Sequence, residues 1–488
     1  MLNSRFVPGK NTATLIIPFF LSLAFLLYKY AILNTGLYKS DLYSFYQNAN
    51  DWLIDKPIYF ENTFGQTFLH HTYYLTPVLA PFTFLFGIGG LFIAQILCIF
   101  FAIRALILCV EQKQKWQFSI LISALVFGPL GFFLWDNMTY GWHLESLIFP
   151  LSLWAGAQLY RDKKWSAFLL LFILSSIKED AVFQAAAVYS MHSALLFFQN
   201  KLSKKQIWTR LLTAYALALI LFAANMTLIH VYSQNERVAQ SAAGFEQLLH
   251  EPQNMLPYLS GLTKYFFLLL LAIPLFLLAG RRIPAVYFSL FLFLIPALFF
   301  AFVSGLFYYP QLSFSLFWPP RLFYSSALII LATLFILFVF LPNALFIRLP
   351  GLLILQAFAL HQPDFNRYYN DLFFIKIALG KEISPQHSQM LQSLNCVSGK
   401  MQERTSLVVD EYLAFAFQNH DFILSDPFIS SYKNPPQLAI LRNRENFKKI
   451  HYFEPADSVL LPQLIVYFAQ ENHPLKQEIS NCSRQTIE

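Results

Sequence analysis

Charge is what this sequence has least of. Asp, Glu, Lys and Arg make up 12% of its 488 residues, half of the ~25% typical of a soluble chain, which excludes a water-soluble enzyme. Cysteine is sparse too, four in all, which excludes a disulfide-stapled mini-domain. No internal repeat of about 20 to 50 residues is apparent. What is abundant is apolar: 57% of residues are hydrophobic and 18% aromatic, Phe alone occurring 54 times. That composition excludes disorder and collagen and describes a chain living mostly in lipid. The net charge is +7. Lys and Arg sit in short clusters between apolar runs rather than along one face, so they read as topology signals and not as a nucleic-acid surface.

A membrane-spanning helix needs roughly 20 apolar residues. Eleven runs are candidates: Thr12–Leu33, Leu91–Val110, Phe118–Trp135, Ser146–Tyr160, Ser166–Ile177, Ala181–Phe198, Leu211–Tyr232, Tyr265–Ala279, Ile283–Gly305, Leu322–Leu341 and Ala344–His361. The expected fold is therefore an all-α polytopic membrane protein. The first run follows Arg5 and Lys10, exceeds a signal-peptide core and lacks a small-x-small cleavage site, so it reads as a retained anchor with the N-terminus inside. Alternation then puts Lys113, Lys115, Arg161, Lys163, Lys164, Lys201, Lys204, Lys205, Arg210, Arg281, Arg282 and Arg348 inside. Outside fall only Lys39, Lys56, Lys178, Arg237 and Lys264, a positive-inside bias. The odd count places the C-terminus outside. Tyr73–Phe86, with Pro77 and Pro81, is too short to cross and is expected to be re-entrant or to lie at the outer interface.

Residues 1–361 thus form the polytopic part, with a first outer loop at 34–73. Over Gln362–Glu488 the composition turns mixed, and short apolar runs at Ser406–Val409, Phe422–Leu424 and Leu438–Leu441 alternate with turn residues. This pattern predicts a small α/β domain on the outer side. Cys98 and Cys109 lie in one span, while Cys396 and Cys482 lie in the outer domain, where oxidising conditions would permit a disulfide.

A charge at membrane depth costs about 2.5 to 3.5 kcal/mol even on the lenient insertion scale, so charges that persist need a partner, a wet cavity or a task. Asp41, His70, His71, His143, Glu145, Lys178, Glu179, Asp180 and Arg321 all fall at or just past outer span ends and could converge on one cavity. Asp41 reads either as a general base for an acceptor hydroxyl or as a helix N-cap after Ser40. His70-His71 and His143-x-Glu145 supply ligands for a divalent metal or a phosphate, against surface imidazoles and an interfacial anchor, and no zinc spacing is present. Lys178-Glu179-Asp180 could set an ammonium near a lipid phosphate and carboxylates near a sugar or metal; the competing reading is a solvated hairpin tip whose charges neutralise one another. Arg321 suits bidentate phosphate binding or simple snorkelling to headgroups.

Taken in order, Asp41 with Phe45, Gln47 and Trp52, then a His before a Pro-rich apolar segment ending in Gln95, then His143-x-Glu145, then Lys178-Glu179-Asp180, resemble the bacterial and archaeal membrane-protein family DUF2079. That family is similar to the GT-C glycosyltransferases. The resemblance implies a GT-C-like fold, Asp41 as catalytic carboxylate, and a polyprenyl-phosphate sugar bound among the spans. It implies inverting transfer to an envelope acceptor on the outer face of the bacterial inner membrane. Gln47, His71, Lys178, Glu179, Asp180 and Arg321 would bind substrate and lipid phosphate, and His143 with Glu145 would hold a divalent Mg or Mn ion. The alternative from another class is a transporter or flippase. Against it, the polar groups gather on one face, and the central runs are nearly free of ionisable residues apart from Arg104 and His192.

Overall fold

The computed structural model describes residues 13–38, 40–54, 57–61, 65–66, 71–128, 141–198, 200–232, 348–353, 373–380, 383–402, 405–410, 412–418, 420–424, 436–442 and 455–485. Ile16–Leu33 form α1, a run free of glycine whose one proline, Pro18, lies in the first turn, where no backbone donor is required. Ser40–Asn50 form α2 in the loop that follows α1. The same loop carries a short antiparallel pair, β1 (Phe60–Glu61) and β2 (Gly65–Gln66). A 3-10 turn at Thr76–Leu79 leads into α3 (Ala80–Phe86), followed by α4 (Gly89–Ile107) and α5 (Lys115–Phe127). Then come α6 (Ile148–Tyr160), α7 (Lys164–Ser175), α8 (Ala181–Phe198) and α9 (Lys204–Tyr232).

α1 packs on α4 and α5, α4 on α6, and α6 on α7 and α8, with α9 against α8. Among the described residues three helical segments, Ala13–Leu33, Gly89–Ile107 and Lys204–Val231, are long and apolar enough to cross a membrane. Their outer faces agree: Phe19, Phe20, Leu27, Leu212, Leu219 and Ile220 are exposed, the surface that lipid rather than water accepts. The eleven expected spans are not confirmed. Lys164–Ser175, at 12 residues, reaches about 18 Å against a ~30 Å hydrocarbon core. The four runs expected from Tyr265 to His361 lie almost wholly outside the described residues. Thr76–Phe86 is helical and too short to cross, as its prolines and length foretold.

The C-terminal part holds α10 (Phe373–Ala378), α11 (Pro385–Lys400), α12 (Leu475–Gln485) and a five-stranded sheet. The strands are β3 (Ser406–Val409), β4 (Asp421–Leu424), β5 (Leu438–Leu441), β6 (Asp457–Leu461) and β7 (Leu464–Phe468), in spatial order β4-β3-β5-β7-β6. β3 runs parallel to β4 and β5, while β7 is antiparallel to β5 and β6. β3 and β5 read as continuous apolar runs because both faces of a central strand are covered; Leu407, Val408, Val409, Leu438, Ala439 and Ile440 are fully buried. The cysteine pairing expected as an option is present: Cys396 on α11 and Cys482 on α12 are bridged.

This unit rests on the loop that follows α1. Ser384 caps α11 by accepting from the His387 amide, and His387 Nε2 lies 2.6 Å from the Thr35 carbonyl oxygen, in the turn that follows α1. Gly36 in that turn has φ +66°, and a Cβ there would meet the Phe415 ring at 2.4 Å. Only glycine allows both the backbone and the approach. Gln47 of α2 donates from Nε2 to the Phe422 carbonyl at 2.9 Å. β4 is an edge strand, so this amide takes up one of its outward backbone acceptors.

Candidate functional site

The site begins with α1. Lys29 lies one turn from the C-terminal end of α1 and is fully buried, and its Nζ donates to the Gly141 carbonyl at 2.7 Å. Gly141 has φ +69°, and the Tyr38 ring stands 2.7 Å from where a Cβ would be. This contact delivers the next residues, Trp142 and His143, against α2. His143 is extended at φ −147° and ψ 144°, directly before a 3-10 turn at Leu144–Leu147.

On α2, Asp41 is the second helical residue, so it is not the cap that Ser40 suggested. Its Oδ2 faces His143 Nε2 at 3.6 Å. Phe45 follows four residues later on the same helical face, and its ring meets His143 edge-on at 4.8 Å. The other imidazole nitrogen, Nδ1, is paired with Glu145 Oε2. Glu145 Oε1 in turn accepts from Lys178 Nζ at 3.2 Å and from the Tyr73 hydroxyl at 3.1 Å. The result is a chain of paired side chains: Asp41, His143, Glu145, Lys178.

Burial shapes how the chain divides its work. The Glu145 side chain is 2% exposed and that of Asp41 37%, so of the two carboxylates Asp41 is the one open to solvent. For Glu145, burial opposes ionisation, but the charges of His143 and Lys178 and the His143 hydrogen bond outweigh it and hold its carboxyl well below the usual range. For His143, burial works against the charged ring, but the Glu145 charge and hydrogen bond, with the Asp41 charge, lift its pKa above the ordinary value despite Lys178.

The Lys178-Glu179-Asp180 turn is not a solvated tip, since Glu179 and Asp180 are buried, and Lys178 and Glu179 engage different partners. Glu179 accepts from the Thr72 amide at 3.2 Å and lies 2.7 Å from His71 Nδ1. Asp180 sits just ahead of α8, its carbonyl accepting from the Phe183 amide. His71 is therefore part of this cluster and not a surface imidazole. Gln47, expected on substrate, is buried with its amide committed to Phe422. Arg321 and His70 lie outside the described residues. Sequence reading missed Lys29 and Tyr73; the flag for Lys29 was a charge inside an apolar span.

No family model and no curated protein matches the chain. Among solved structures, ArnT from Cupriavidus metallidurans, a crystal structure bound to undecaprenyl phosphate, is similar at 11% identity and a TM-score of 0.49. That similarity covers 93% of this chain and 98% of the other.

The expected metal pair meets an obstacle of geometry. Both Glu145 oxygens are engaged, one by His143 and the other by an ammonium and a hydroxyl, so a divalent ion would have to displace Lys178. Among the described residues no group of three or more His, Cys, Asp or Glu is arranged to hold a metal ion. As they stand, the His143 and Glu145 donors do not fit one.

Proposed function

We propose that the chain is a GT-C-like membrane glycosyltransferase that moves a sugar from a polyprenyl-phosphate donor to an envelope acceptor on the outer face of a bacterial inner membrane. The N-terminus is cytoplasmic and the C-terminus outside, with the polytopic part at 1–361 and the outer α/β domain at 362–488. The observation that carries the reading is the solvent-open Asp41 carboxylate held against the buried His143–Glu145–Lys178 chain.

Asp41 takes the proton of the acceptor hydroxyl as that oxygen bonds to the anomeric carbon. The bond from that carbon to the phosphate oxygen breaks with inversion, and its electron pair leaves with the lipid phosphate. His143, fixed by Glu145, orients Asp41. Negative charge builds on the leaving phosphate, and Lys178, with Arg321, stabilises it. His71 and Glu179 hold one flank of this polar cluster and Asp180 the start of α8, while Gln47 holds the loop to the outer domain rather than touching sugar. A flippase would need none of these proton-transfer groups.

Binding of polyprenyl phosphate to the full chain in lipid nanodiscs, read by native mass spectrometry, tests the reading. Wild type retains the lipid and Lys178→Gln retains markedly less. Equal retention contradicts the assignment of the leaving-group site.

A further inference from the structure

The C-terminal sheet carries a feature that sugar transfer does not use. Its three parallel strands follow one another in the chain as β3, β4, β5 but lie in space as β4-β3-β5. The chain leaves β3 for one neighbour and returns to its other side. In open parallel sheets, ligands bind where the strand order reverses in this way, just outside the carboxyl ends of the two diverging strands.

Those strands are β3 and β5, and the first residues beyond their carboxyl ends are Asp410 and Arg442. Arg442 Nε donates to Asp410 Oδ1 at 3.0 Å, and that oxygen also accepts from the Tyr412 amide at 3.1 Å. The guanidinium carbon lies 3.9 Å from the centre of the Tyr412 ring. The fork is thus fixed along one edge by a buried carboxylate and across one face by an aromatic ring. Little rotamer freedom is left to lose on binding. An ion pair that served only to tie two strands would gain most from a bidentate grip, yet this one spends a single nitrogen. Among the described residues the two Nη nitrogens have no hydrogen-bond partner, and the side chain is 35% exposed.

We propose that the carboxyl edge of β3 and β5 is an anion site in which the Nη pair of Arg442, oriented by Asp410 and Tyr412, binds a phosphate group of a soluble compound or a lipid headgroup. The site is independent of the transfer chemistry proposed above.

The test uses the full chain carrying Lys178→Gln, which silences the proposed lipid-phosphate contact, in phosphatidylcholine nanodiscs. Inorganic phosphate and glycerol 3-phosphate are titrated by calorimetry, with thermal melts as the folding control. The expected result is saturable binding that Arg442→Gln weakens about tenfold or more, since the loss of even one charge-assisted hydrogen bond has that effect. Arg442→Lys, which keeps charge and fold but not the fork, also weakens it. Competition from phosphatidylglycerol placed in the disc assigns the site to a headgroup; its absence assigns it to a soluble phosphate. Binding that is absent in the parent chain, or equal in parent, Arg442→Gln and Arg442→Lys, overturns the proposal. None of these outcomes depends on whether Asp41 catalyses transfer.

Discussion

Asp41 and His143 face each other at 3.6 Å, the helix following the first span bringing its carboxylate to an imidazole delivered by the segment ahead of α6. The pair is held from both sides. Phe45 and the first turn of α2 set one partner, and the Lys29–Gly141 contact and the Glu145 ion pair set the other.

The His143 pair makes stability depend on pH in a defined direction. A histidine whose folded pKa lies above its ordinary 6.5 stabilises the fold fully below that value and loses its contribution as pH rises through the raised folded pKa. Glu145, lowered from 4.5, contributes above its ordinary value and loses that contribution only on strong acidification. Thermal melts of the nanodisc-reconstituted chain from pH 6 upward should therefore show a decline that His143→Gln abolishes. A decline that persists in His143→Gln belongs to another group.

Lys29→Met leaves the Gly141 carbonyl without its donor, a loss of about 1–3 kcal/mol for a buried polar group. Removing the charge also eases insertion of α1, so the effect is sought in the folded segment and not in expression yield. Amide exchange over residues 141–147 should rise while α7 stays unchanged. Unchanged exchange there removes Lys29 from the positioning of His143.

Glu179→Leu strips the Thr72 amide and His71 of their shared acceptor. The expected cost is about 1–3 kcal/mol, measured as a lower thermal midpoint. Glu179→Gln, which keeps one acceptor oxygen, should recover part of it.

Gln47→Leu removes the donor from the Phe422 carbonyl. Exchange in β4, at residues 421–424, should rise at a cost of about 1 kcal/mol, without loss of polyprenyl-phosphate binding. If lipid binding falls and β4 is unmoved, Gln47 belongs to the substrate after all.

The elements that the sequence made legible are those whose signal is local. α1, α4 and α8 follow from continuous apolar runs, and β3, β4 and β5 from short apolar segments between turn residues. The hairpin of β6 and β7 was not legible, because its turn at Pro462 and Gln463, with Gln463 at φ 62°, carries neither the glycine nor the asparagine that marks a tight hairpin. Charge placement at span ends brought Asp41, His71, His143, Glu145, Lys178 and Glu179 under suspicion together, since unpaired charge near lipid is costly. Who pairs with whom was not legible. Lys178 and Glu179 are adjacent yet bind separate partners, and the Gln47 partner lies far along the chain in a strand edge.

If Asp41 performs the proton transfer of a sugar transfer, mass spectrometry of envelope glycans and lipid-linked sugars reads it out without an intermediary. Three strains are compared: one with the wild-type chain, one lacking it, and one expressing Asp41→Asn at the same level. The deletion and the mutant should both lose a glycan and accumulate its polyprenyl-phosphate donor. Full complementation by Asp41→Asn would contradict it and make movement of a lipid-linked substrate the better reading of the same polar cluster.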